Sequence, residues 1–402
     1  MAELPRDAHR GGDDRCAARP RLVPAALSRL RGRRARRRDG RTWRRIEFER
    51  SAATGPGTAS RGSDSVKWRR SLIGLAVSAI FIVLLLRQVN GPELREAFAA
   101  ASPGWLAAAF AIYLGALWLR GLRWRLVLRG ATPISTNDAT ALVVIGYAAN
   151  NVLPVRAGEL VRAQLLHERH GADRVAALGT ILVERVFDGL VLALFLAGTV
   201  ALAGGSGVLR LLAAVTGAIF VAIALALLVG GPRLADNPGA AHRLVRPLPA
   251  RLQHFVAPRL DRFVDGLTTI RGTGAWLAIF VVTAASWAIE AAMYWLAGIG
   301  LGLELDPLLY LAVCGAANLA IAAPSTSGGI GPFEFFAREV AVVFGATTAA
   351  GTAYAIALHA LLLIPVAALG LLLLWRRHIG VRSLLRTVPE ETAAASTLRG
   401  SG

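Results

Sequence analysis

Lysine is almost missing from this sequence: Lys67 is the one lysine among 45 basic residues, which, with the abundance of Ala, Gly and Arg, points to a GC-rich bacterial source. Cysteine is scarce as well. Cys16 and Cys314 have no metal-ligand spacing and build no disulfide framework, so structural zinc and dithiol redox chemistry are not expected. Charged residues make up only 18% of the 402, against 54% hydrophobic, and the mean hydropathy is +0.50. That balance lies well to the apolar side of a soluble domain. Enzyme signatures are missing too: there is no Walker A sequence, no G-x-S-x-G, no H-E-x-x-H and no Asp-rich metal motif. The longest folded stretch outside the apolar runs, 231–274, is too short for a catalytic core. The expectation is a non-enzymatic membrane protein with no cofactor and no metal.

What the chain has in excess is arginine and apolar runs. Residues 1–70 hold 20 basic and 8 acidic side chains, including the run from Arg31 to Arg38, and residues 1–65 contain no apolar stretch of secretory-signal length. They read as a disordered cytoplasmic tail attracted to anionic headgroups. With no folded reader and few aromatics beyond Trp43 and Phe48, no nucleic-acid partner is expected. Residues 387–402 read as a second disordered tail.

From Ser71 onward, runs close to the roughly 20 residues needed to cross a bilayer follow one another. Six spans are expected, at about 71–86, 104–119, 175–203, 208–230, 275–300 and 351–375. Arginine in the connections orients them. Arg120, Arg123, Arg125 and Arg129, the seven arginines of 231–274, and Arg376, Arg377, Arg382 and Arg386 read as cytoplasmic, which puts both termini inside a bacterial inner membrane. Parity then makes 130–174 leave and regain the cytoplasm, and 307–350 leave and regain the outside. Each has one apolar run, broken by Asn150, Asn151 and Pro154 in the first and by Pro324 to Pro332 in the second. The expected fold is an all-α polytopic membrane protein of about six full spans and two opposed re-entrant hairpins, with a possible inverted-topology repeat. Broken backbone at membrane depth is tolerated where it lines a wet cavity, and repeats of this kind hold substrate between the broken helices.

Candidate site residues follow. Arg156, Glu159 and Arg162 recur every three residues after Pro154, next to Asn151, and arginine forks suit phosphate oxygens; alternatively Glu159 pairs with both arginines to lock the hairpin. Glu184, Arg185 and Asp188 lie deep in a span, with one ion pair possible within the helix and one carboxylate left for Arg156 or Arg162. Glu184 is either a proton carrier or a structural lock. Glu290 and His359 are polar groups inside apolar spans. Ser325, Thr326 and Ser327 with Gly328 and Gly329 form a nest that suits a headgroup, and Glu334, Arg338 and Glu339 follow at a spacing that pairs them among themselves. Glu290 and Glu334 join the Glu184 group as gate residues. Between Val256 and Ile270, helical periodicity with Arg259 and Arg262 predicts an amphipathic helix lying at the interface.

Three motifs in order, Asn-x-x-x-Pro-x-Arg-x-Gly-Glu-x-x-Arg from Asn150 to Arg162, Glu-Arg-x-x-Asp from Glu184 to Asp188, and Pro-x-x-x-Gly-Gly-x-Gly-x-x-Glu from Pro324 to Glu334, resemble the flippase-like, or lysylphosphatidylglycerol synthase transmembrane domain, family. The resemblance covers about 66–386. In bifunctional members this membrane part is followed by a soluble aminoacyl-transferase domain, which no part of these 402 residues provides; Ser325-Thr326-Ser327 stands where a second proline is expected. The resemblance implies translocation or binding of an anionic lipid, a phospholipid or a polyprenyl phosphate. The alternative is a non-transporting subunit that docks a membrane-bound glycosyltransferase or lipid-modifying enzyme, and a third reading makes the chain itself a lipid-modifying enzyme with an intramembrane site.

Overall fold

The computed structural model describes residues 80, 82–83, 91–153, 157–235, 246–247, 249–270, 272–321 and 327–379. Both expected tails and nearly all of the expected first span lie outside the described residues, as do Pro154, Arg156, Pro324, Ser325 and Thr326. Among the described residues all regular structure is helical: α1 (Gly91–Ala99), α2 (Pro103–Leu128), α3 (Thr136–Val152), α4 (Gly158–His170), α5 (Arg174–Ala203), α6 (Gly207–Ala235), α7 (Ala250–Leu267), α8 (Thr273–Gly300), α9 (Leu309–Ala320), α10 (Pro332–Val343) and α11 (Thr348–Arg376). Five of these, α2, α5, α6 through Gly230, α8 and α11, are long and apolar enough to cross a membrane.

The helices begin and end where side-chain chemistry tells them to. Ser135, Asp173 and Thr347 cap α3, α5 and α11 by accepting from backbone N–H groups of the first turn. The first helix of the first hairpin, α3, stops one residue short of Leu153, whose extended backbone (φ −82°, ψ 138°) is what a following proline imposes. Gly171 ends α4 in the left-handed region at φ 69°. Near the foot of α3, Arg377 donates to Asp138 at 2.6 Å and Ser135 adds a second hydrogen bond. The Arg377 hydrogen bond, with that of Ser135, holds the Asp138 carboxyl below its ordinary range. A carboxyl lowered on folding stabilises above its unfolded value, about 4, and loses that contribution as pH falls further. Asp138→Asn is therefore expected to lower the unfolding temperature slightly at neutral pH, by an amount matching under about 1 kcal/mol for a half-exposed pair, and by progressively less as pH falls below the unfolded value toward about pH 3. Thermal scans of both proteins at the two pH values check this.

One sequence expectation is corrected here. The second span does not end at residue 119: α2 continues for two more turns, to Leu128, and Arg120 and Arg123 are buried inside the bundle instead of marking a cytoplasmic loop. Positive-inside counting treats every arginine near the end of an apolar run as solvated, but these two meet carboxylates from other helices. Arg129, exposed, does sit at the end of α2.

Two groups of helices repeat one order. A long helix, a broken pair and a long helix make up α2 to α5, and again α8 to α11. With α2, α5 and α6 each crossing once, α8 runs opposite to α2, and the N–H of Ser102 before α2 reaches the carbonyl of Gly300 at the end of α8 at 2.7 Å. The most extensive packing joins α2 to α8, while the broken pairs are exchanged: α3 packs on α11, and α9 on α5. This matches an inverted repeat. Arg120 and Glu290 are each the eighteenth residue of their helix, and their side chains meet.

Outside this core, α6 is apolar all round and largely uncovered, as lipid contact requires. The amphipathic segment forms α7, which packs on α5 through buried Ala257 and Val264 while Arg259 and Arg262 stay exposed.

Candidate functional site

The buried charges are built by three long helices and one hairpin. At ~1.5 Å per residue, Glu184 and Asp188 lie roughly 15 and 21 Å along α5, one turn apart on one face. Arg123 of α2 serves both: Nε donates to Glu184 at 3.1 Å, Nη2 to Asp188 at 3.3 Å, and Nη1 also binds Asp188. The other oxygen of Glu184 accepts from Arg162 of α4 at 2.7 Å, and Trp287 Nε1 donates to Asp188 at 2.8 Å. Next to this group Arg120 binds Glu290 at 2.5 Å. Arg162 lies over the Trp124 ring at 4.1 Å and Arg120 over Trp287 at 4.4 Å, so each guanidinium has an aromatic face as well as a carboxylate. Three guanidiniums thus balance three carboxylates, all nearly inaccessible.

Arg185 falls outside that balance. It reaches Asp188, already held by Arg123, at a long 3.5 Å, and its side chain is 38% exposed; its Nε, like those of Arg120 and Arg162, has no hydrogen-bond partner among the described residues. It faces a cavity with about 750 Å³ of open space, mouth included. Arg120, Glu290 and Trp287 form one wall, Asn150 and Asn151 at the end of α3 a second, and Asn318, Gly328 and His359 a third. The cavity therefore lies where the two broken segments meet. The short 3-10 turn Ser327–Gly329 of the second hairpin packs on α3 of the first.

The turn of the first hairpin is closed by Asn150, which accepts from the Gly158 N–H at 2.7 Å and donates to Glu159 at 3.3 Å. Gly158 is required by close approach: a Cβ there would sit 2.0 Å from the carbonyl oxygen of Gly146. Gly158→Ala is expected to force the hairpin apart and destabilise by about 1–3 kcal/mol, readable as a lower unfolding temperature in detergent.

The structure distributes the sequence candidates unevenly. Asn151 lines the cavity and donates to the carbonyl of Leu363 at 3.4 Å. Arg162 is not at the cavity but in the buried ion group, and Glu159 pairs with Asn150. Arg156, Ser325 and the side chain of Ser327 lie outside the described residues. Gly328 lines the cavity, while Gly329 is buried against Ile321. Glu184, with both oxygens held by arginine, has the geometry of a lock. Glu334 binds His359 of α11 across the helix packing, while Arg338 pairs with Glu339. Sequence reasoning missed Arg120, Arg123, Trp124 and Trp287. For the first three the signal was arginines three apart next to a tryptophan, in a run that stays helical past its apolar part; Trp287 left no such trace.

A profile of the lysylphosphatidylglycerol synthase TM region matches residues 71–370. The chain belongs to this family. All three sequence motifs, the buried ion group and the cavity fall within the matched residues. Among curated proteins, the chain is similar to Glycosyltransferase AglD of Haloferax volcanii, 27% identical over 318 residues that make up 71% of this chain and 51% of AglD. It thus spans about half the length of AglD. It is also similar to a UPF0104 membrane protein of Methanothermobacter thermautotrophicus, 25% identical over 292 residues, 67% of this chain and 82% of that protein. The lysylphosphatidylglycerol synthase TM region here is a multi-pass helical membrane domain.

Proposed function

We propose that this membrane protein takes the phosphate-bearing headgroup of an anionic lipid, a phospholipid or a polyprenyl phosphate, into the cavity between its two hairpins and passes it between leaflets. Arg185 carries the reading: it shares its one carboxylate, Asp188, with Arg123, and it faces open space among three asparagines and Trp287. A guanidinium fork suits phosphate oxygens, and amides and an indole suit the polar body of a headgroup. On this reading Glu184, Asp188 and Glu290 fix the arginines, and the chain makes and breaks no covalent bond. Transport is then passive or ion-coupled, with the termini on the cytoplasmic side of a bacterial inner membrane.

The test is leaflet exchange of labelled phosphatidylglycerol and phosphatidylcholine by the purified protein in liposomes. Exchange that prefers the anionic lipid supports the reading. One observation favours a second reading, a subunit that docks a glycosyltransferase or lipid-modifying enzyme: a relative named as a glycosyltransferase is twice as long as the part matched here. Absence of exchange with any anionic lipid, polyprenyl phosphate included, would move the weight to docking.

A further inference from the structure

Both ring nitrogens of His359 face oxygen. Nε2 lies 3.0 Å from the carbonyl oxygen of Gly328, and Nδ1 lies 2.7 Å from Oε1 of Glu334. A carbonyl oxygen only accepts, so Nε2 carries a hydrogen and donates it. The second contact then also needs a proton between Nδ1 and Oε1, whether it resides on an imidazolium or on a carboxylic acid. The remaining oxygen of Glu334 accepts from the Gly331 N–H at 2.7 Å. The geometry therefore accommodates one exchangeable proton in the pair. With none, two lone pairs face each other; with two, two hydrogens do. The ring has little freedom to turn away, being stacked on Phe333 with centroids 4.2 Å apart.

These contacts grip both ends of one bend. Gly328 is held through its carbonyl and Gly331 through its N–H, and the backbone between relies on glycine at φ 77°, 78° and 99° for Gly328, Gly329 and Gly331. The bend belongs to the second hairpin, and His359 and Gly328 both line the cavity. The geometry points to a proton-binding site at Glu334 and His359, whose single proton clasps the bend of the second hairpin against α11. The site shares the cavity with the lipid reading and stands without it.

The elements packed around the pair carry other charged and titratable groups, Cys314 of α9 among them. On α10, Arg338 pairs with Glu339; α8 supplies Glu290 and Tyr294, and α3 supplies Tyr147 and, at its foot, Asp138. Across the cavity stand Arg120, Arg185 and Tyr113, while α1 carries Glu93, Arg95 and Glu96. Glu290 is already held by Arg120 and Asp138 by Arg377. Glu334 is the acid in direct contact with the ring.

Losing the proton forces the ring to release either Glu334 or Gly328, so the bend loosens as pH rises. The test is hydrogen–deuterium exchange of the full chain in nanodiscs of phosphatidylglycerol and phosphatidylethanolamine, followed at residues 327–331 from about pH 5 to about pH 8 and corrected for intrinsic rates. Wild type is expected to lose protection about tenfold across that range, the weight of one hydrogen bond. In Glu334→Gln the side-chain amide donates to Nδ1 and its oxygen accepts from Gly331, so all three contacts persist with no proton to lose. Its protection is expected to stay high and flat. A flat wild-type profile, or a Glu334→Gln profile that follows wild type, overturns the proposal. Should that variant not fold, histidine nitrogen spectra of wild type decide, with His359 assigned by its contact to Phe333: a bare Nε2 at low pH overturns the site. Lipid movement is not read, so a protein that moves no lipid can still pass.

Discussion

Arg123→Ala is expected to destabilise the protein by about 3–5 kcal/mol, the usual result of removing one partner from a buried ion pair. The guanidinium serves two carboxylates on adjacent turns of α5, and alanine replaces none of its hydrogen bonds. Glu184 would keep Arg162, but Asp188 would be left with Trp287 and a partly exposed Arg185 at 3.5 Å. A carboxylate in that position is either a poorly compensated charge or a neutral acid that has lost its closest partner. Thermal unfolding in detergent, followed by tryptophan fluorescence, should show a drop far larger than that of Arg129→Ala, whose side chain is exposed at the end of the same helix. Removing both partners in Arg123→Met with Asp188→Leu should destabilise by clearly less than the sum of the two single changes. A loss below about 1 kcal/mol for Arg123→Ala would mean that water reaches the group and that it is not the lock described here.

Arg185→Gln is expected to do the opposite: to leave stability nearly unchanged and to remove the preference for anionic lipid. The side chain contributes one long contact to a carboxylate already held by Arg123. Its loss therefore strands no buried charge. If the same group binds phosphate, the glutamine loses a charge-assisted hydrogen bond worth about 1.5–3 kcal/mol, roughly ten- to hundredfold in apparent affinity. The measurement pairs leaflet exchange of phosphatidylglycerol and phosphatidylcholine with thermal unfolding of the same preparations. Anionic exchange that survives unchanged in a folded Arg185→Gln protein would remove Arg185 from the headgroup site. A protein equally damaged in exchange and stability would place Arg185 with the structural group instead.

The sequence disclosed the breaks better than the bonds. Asn150, Asn151 and Pro154 interrupt an apolar run in a way that parity turns into a hairpin, and Glu184 and Asp188 share a helix face by spacing alone. Both inferences use neighbours in the chain. Arg120 and Arg123 were misread because their meaning depends on acids 170 and 61 residues away, and near the end of an apolar run an arginine that solvates and one that pairs look the same. His359 stood out as a polar residue in an apolar span, yet its link to Glu334 crosses from α11 to α10 and has no periodic trace. The pairing of Glu334 within its own helix was the simplest reading of local spacing, and tertiary contact overrode it.

The Arg120–Glu290 pair also sets a timetable for synthesis. Arg120 leaves the ribosome 170 residues ahead of its acid. At about 5–20 residues per second, that is on the order of ten to thirty seconds in which a cation two turns inside α2 has no permanent counterion. A lone arginine at such depth is tolerated by bending its long stem toward the nearer surface. That reach would let the last two turns of nascent α2 rest near the headgroup layer until α8 is made. Because α3 likewise packs on α11 and α5 on α9, the first half of the chain reaches its full packing only once the second half has been made.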